Sequence, residues 1–144
     1  MKLELKHLSG YLPYGLKGNL ENLEYYDTVL NKELYRIETG KTENSKTYDV
    51  MVIVGDEEGN LIDFKPILRP LSDLTKEIEV NGKKFVSITE LLRNSNFAVD
   101  KMSFEEQCDY LNIYEHIPCV SWSDIELLFE WHFDIYGLIG KGLA

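Results

Sequence analysis

Four side chains able to hold a metal or attack a carbonyl fall in the last third of the chain: Cys108, His116, Cys119 and His132. Two thiolates and two imidazoles are enough for a tetrahedral zinc. The intervals between them are seven, two and twelve residues, and the close Cys-x-x-Cys knuckle of a zinc finger is missing. Buried free cysteines and a core histidine account for the same residues, so no metal is expected. Cys119 has His116 three positions earlier, a relation that could generate a thiolate nucleophile. Pro118 stands between them, and no signature of an orienting group or an oxyanion hole accompanies the pair. The carboxylate pairs Glu57-Glu58 and Glu105-Glu106 have a turn and a helix's first turn as their natural settings, where solvent or the helix dipole supports them. Asp56 to Gly59 is too short for an EF-hand loop, and neither a P-loop nor a Gly-x-Gly-x-x-Gly fingerprint occurs. The expectation is therefore no catalytic residue and no cofactor.

Charge points instead to partners. The 144 residues carry 15 basic and 25 acidic side chains, a net charge of −10, which opposes attachment to nucleic acid or to an anionic membrane. Residues 100 to 144 hold two Lys/Arg against nine Asp/Glu, whereas residues 61 to 99 hold six against five. The acidic pole is thus the last third. The near-neutral middle, with Lys65, Arg69, Lys76, Lys83, Lys84 and Arg93, has only Phe64 and Phe85 to stack on bases, a weak foothold for nucleic acid. No apolar run reaches the length of a membrane span, and Met1 to Gly10 lacks the apolar stretch of a secretory signal. With only two cysteines, a cytoplasmic protein that needs no disulfide framework is expected.

These residues must be positioned by elements of two kinds, an α+β chain read as a single domain over 1–144, β-rich over 15–86 and helical over 87–144. Leu3, Leu5, His7 and Leu8 suggest a helical turn, and a strand follows from Leu16. Leu23 to Leu30, Leu34 to Ile37 and Tyr48 to Val54 have strand composition. Gly55 to Asn60 reads as an acidic turn joining Tyr48–Val54 to Leu61–Phe64. Several short strands imply a small antiparallel sheet or partly open barrel, since one hairpin would not be stable alone. Pro66 to Pro70 should be an extended crossover, followed by a helical turn at Leu71 to Lys76. Ile78 to Val86, centred on Asn81-Gly82, predicts a β-hairpin with a type I′ turn, in which both central residues take positive φ. Beyond it, Ser87, Ser103 and Ser123, each followed three residues later by Glu, fit capping boxes and predict three helices.

The last of these is expected over Ser123 to Ile139. Ile125, Leu128, Phe129, His132, Ile135, Tyr136 and Ile139 recur at helical spacing, with Leu127, Trp131 and Leu138 widening the stripe. A helix so widely apolar is either surrounded by the rest of the domain or presents an interface. Trp122, Trp131 and Tyr136 are the aromatic candidates for contact with a partner. Glu105, Glu106, Asp109, Glu115, Glu126, Glu130 and Asp134 are the candidates for an acidic face.

Three segments, His7 to Lys17, Asp63 to Lys76 and Leu128 to Ala144, resemble a group of small proteins encoded by bacterial phages and prophages. The resemblance carries over no functional residue. It implies a phage-derived accessory protein acting by protein–protein binding in the host cytoplasm, for instance an anti-CRISPR-like inhibitor of a nucleic-acid-handling defence protein. A carboxylate-rich face can occupy a basic groove built for phosphate. The alternative is a homo-oligomeric structural or assembly protein of a phage, with the last helix as interface. An enzyme without a signature and a nucleic-acid-binding module follow behind.

Overall fold

The structure, a computed structural model, describes residues 2–21, 28–41, 48–115 and 120–144. The protein is α+β, and its chain divides into two compact units, Met1–Leu68 with Tyr136–Ala144, and Arg69–Ile135.

The first unit opens with helix α1 (Leu5–Leu8) and a 3-10 turn over Ser9–Tyr14. Among the described residues five strands follow: β1 (Lys17–Leu20), β2 (Val29–Lys41), β3 (Tyr48–Val54), β4 (Glu57–Asn60) and β5 (Phe64–Pro66). They form one antiparallel sheet in the order β4-β3-β2-β1-β5. Residues 23–27 of the expected Leu23–Leu30 strand lie outside the described residues; its end, Val29 and Leu30, begins β2. The partner of β3 is Glu57–Asn60 rather than Leu61–Phe64, with Val54 opposite Glu57. The reason is the turn: Gly55 takes φ +60 and Asp56 does not take positive φ, the pattern of a two-residue type II′ hairpin, which needs no longer loop. Leu61–Asp63 is a 3-10 turn instead.

One glycine in this sheet is required by packing. A Cβ on Gly18 would collide with the Phe64 ring and with the Lys65 carbonyl, so β1 and β5 can close only over a bare backbone. Pro66 lies opposite Gly18 at the end of β5 and has no amide to offer along this edge strand. His7 is buried; its Nδ1 accepts the Glu4 amide at 3.0 Å.

Among the described residues the second unit contains 3-10 turns at Leu71–Thr75 and Val99–Lys101, the hairpin β6 (Glu77–Val80) and β7 (Lys83–Val86), and four short helices. These are α2 (Ser87–Asn94), α3 (Phe104–Cys108), α4 (Leu111–Glu115) and α5 (Trp122–Glu130). Asn81 and Gly82 take φ +52 and +79, as a type I′ turn demands. Ser103 forms the expected capping box with Glu106. At α2 the N-cap is Val86, and Ser87 lies inside the helix with its buried hydroxyl unpartnered among the described residues. At α5 the N-cap is Ser121, which accepts the Asp124 amide, two residues before the expected start at Ser123.

The helix expected to run to Ile139 stops at Glu130. His132 takes φ +59, its amide donates to the Phe129 carbonyl at 3.0 Å, and the Phe133 amide donates to Leu128 at 2.9 Å. That pair of bonds is a Schellman motif, completed by burial of Phe133 and Leu128 in the same cluster. Beyond it the chain leaves helical geometry, and Phe133 makes a parallel bridge to Arg69. α2 ends likewise, with Asn96 at φ +66 and the Phe97 amide on the Leu92 carbonyl. Leu74, Ile88, Leu91, Leu92, Leu128 and Phe133 form the centre of this unit's core.

Candidate functional site

The second unit contains the features closest to a site, beginning with a buried carboxylate. Asp124, in the first turn of α5, is 3% exposed. Its Oδ1 accepts Asn94 Nδ2 at 2.7 Å, and its Oδ2 accepts Ser95 Oγ at 3.0 Å and the Tyr114 hydroxyl at 3.3 Å. Asn94 Nδ2 also donates to Ser123 Oγ at 3.0 Å. One carboxylate thus ties the ends of α2 and α4 to the start of α5. Burial, then the neighbouring Asp124 charge and the hydrogen bond to it, push the Tyr114 hydroxyl well above the ordinary phenol range, with Ser95 opposing slightly. Sequence inspection missed this network because Asp124 reads there as an ordinary first-turn acid.

A cleft of about 610 Å³ lies in the same unit between the hairpin and the ends of α2 and α5. Its aromatic wall is Phe85 and Trp131, with ring centroids 4.9 Å apart. Lys83 Nζ stands 5.8 Å from the centre of the Phe85 ring. Glu130, half-buried, adjoins Trp131, while Glu90 and Arg93 on α2 pair with each other. Asn94, held by Asp124, also lines the cleft. Arg69 braces its frame: Nη1 donates to the Trp131 carbonyl at 3.1 Å and Nη2 to the Glu79 carbonyl at 3.2 Å.

The acidic candidates do not share one environment. Glu105, Glu106 and Asp109 are exposed along and just after α3, Glu126 is exposed on α5, and Glu115 ends α4. Asp134, by contrast, is 5% exposed and lies beneath the surface, which removes it from an acidic face. The aromatic candidates also separate. Trp122 is 68% exposed, and its indole Nε1 donates to Glu126 at 2.9 Å. Trp131 is 7% exposed and belongs to the core cluster, so it serves packing and lines the cleft rather than standing on the surface. Tyr136 belongs to the first unit, half-buried and edge-on to the His7 ring at 5.4 Å.

Of the ligand-type residues, Cys108 is a half-buried free thiol in α3 and His132 occupies the left-handed position after α5. His116 and Cys119 lie outside the described residues. Among the described residues, no three His, Cys, Asp or Glu side chains converge as a metal site, and no helix is long and apolar enough to cross a membrane. The basic residues of the middle segment are partly spoken for: Arg69 by two carbonyls, Arg93 by Glu90, Lys76 by Asp73 at 2.7 Å, and Lys65, in the first unit, by Glu21 at 3.9 Å. Comparison with family models, with curated proteins and with solved structures found no match.

Proposed function

We propose that this protein acts by binding another, basic protein through the exposed face of α5 and the acidic helix α3, both of which pack against α2. The observation that carries the reading is Trp122. An indole more than two-thirds exposed, on a helix whose apolar residues are otherwise turned inward, contributes little to its own fold and is the residue type most enriched among binding hot spots. Glu126 holds the ring by its N–H, so little side-chain freedom remains to be lost on association. Phe104, also exposed, begins α3 beside Glu105 and Glu106, so an apolar contact and a carboxylate pair recur together there. Aromatic anchors rimmed by carboxylates suit a lysine- or arginine-rich surface, and the charge of −10 speeds encounter with one.

The phage-like segments give this reading its context: a host protein that handles nucleic acid presents such a surface, and inhibition by occupying it is the concrete form we propose. The test is capture from bacterial lysate on the immobilised protein, with Trp122→Ala and Glu105→Gln/Glu106→Gln variants in parallel. One partner should be retained at low salt, released at high salt and lost with Trp122→Ala while that variant keeps the wild-type melting temperature. Equal retention by the wild type and Trp122→Ala, or recovery of the chain alone, would overturn the proposal.

A further inference from the structure

The cleft beside the hairpin has a composition that selects a ligand class, and neither Trp122 nor Glu126 lines it. We infer that it binds a small zwitterion with an aromatic body, of the aromatic amino-acid type. Its volume, about 610 Å³, lies within the range of small-molecule sites. The Phe85–Trp131 pair, its ring planes inclined by 53°, offers an angled apolar wall with Leu127 and Val80 beside it, a surface that another ring can meet edge-on or offset.

Charge decides between ligands of that shape. Lys83 stands beside the Phe85 ring, Glu130 lines the same cleft, and neither makes an ion pair among the described residues. Glu90 and Arg93 neutralise one another. The lining is therefore electrically balanced, with one unpaired cation and one unpaired carboxylate. A ligand with a single charge satisfies one of them and meets repulsion from the other; a ligand carrying both an ammonium and a carboxylate satisfies both. Glu130 is half-buried, so a matching ammonium recovers part of the solvation that its carboxylate gave up. Asn94 adds an amide oxygen whose direction is fixed, because its NH₂ group is held by Asp124 and Ser123. Arg69 keeps the two walls in place without a ligand, so little ordering is needed on binding.

Calorimetric titration of the full chain with L-phenylalanine, phenethylamine and 3-phenylpropionate tests this. The three share a ring and differ in charge. L-phenylalanine should bind at least about tenfold more tightly than either analogue, a difference of about 1.4 kcal/mol. Lys83→Met should reduce its affinity to that of phenethylamine, and Glu130→Gln to that of 3-phenylpropionate. The inference fails if L-phenylalanine does not bind more tightly than about 1 mM, if the three ligands bind alike, or if the two variants, folded as judged by circular dichroism, leave the ranking unchanged.

Discussion

Replacing Asp124 by alanine tests the central brace of the second unit. The substitution removes the acceptor of three side-chain donors, Asn94, Ser95 and Tyr114. Asn94 and Ser95 are exposed and can turn to water, so their losses are modest. Tyr114 is 3% exposed, and its hydroxyl would be left without its carboxylate partner. An unmet buried donor costs about 1–3 kcal/mol, a figure that already contains the loss of its hydrogen bond. With the loss of a first-turn acid, about 0.5 kcal/mol, the total for Asp124→Ala comes to about 3 kcal/mol. Tyr114→Phe removes both hydrogen and oxygen and should cost about 1 kcal/mol. Urea titrations give both values, and the double variant should fall short of their sum by about 0.5 kcal/mol or more because the two groups are in contact. A loss below about 1 kcal/mol for Asp124→Ala, or strict additivity within about 0.3 kcal/mol, would refute the brace.

Other consequences follow from single residues. Because the Tyr114 phenol is raised, the folded protein keeps a proton that the unfolded chain releases near pH 10, so stability should fall as pH rises above about 10 toward the folded-state value. Urea midpoints measured across that range should slope less in Tyr114→Phe than in wild type. Gly18→Ala should destabilise the first unit by about 1–3 kcal/mol through collision with Phe64, read by thermal melting. Asn96→Ala should cost about 1 kcal/mol, since alanine tolerates the left-handed conformation poorly, while Asn96→Gly should be neutral or better. Chemical denaturation distinguishes the two.

The parts of the fold legible in the sequence are those fixed within a few residues. The Asn81-Gly82 hairpin and the Ser103–Glu106 box both depend on local bonds, and both stand where their residue types place them. The end of α5 depends on less obvious chemistry. A histidine, not a glycine, takes the left-handed position, and an arginine sixty-two residues away in sequence holds the carbonyl of Trp131. Ile135 is apolar because it packs against the core of the second unit, not because it is helical, and Ile139 is exposed, so the apolar periodicity outlasts the helix. The N-cap of α5 shifted for a similar reason: Ser121 and Ser123 are both competent caps, and the requirement to bury Asp124 in the first turn selects Ser121. Burial of Asp134 and Trp131 was equally illegible, since charge and aromatic content do not show which side of a turn faces inward. The cleft was hidden altogether, because its lining runs from Val80 to Trp131, segments whose proximity no local pattern records.

The most direct test of binding through α5 is site-specific photo-crosslinking in bacterial cells. A photoreactive phenylalanine derivative replaces Trp122 in one sample and the exposed Tyr35 of the first unit in another. Binding through α5 should give one discrete adduct from position 122, competed away by unlabelled wild-type protein and weakened by Glu126→Gln, with no matching adduct from position 35. Absence of an adduct at position 122, or the same adduct from both positions, would contradict it.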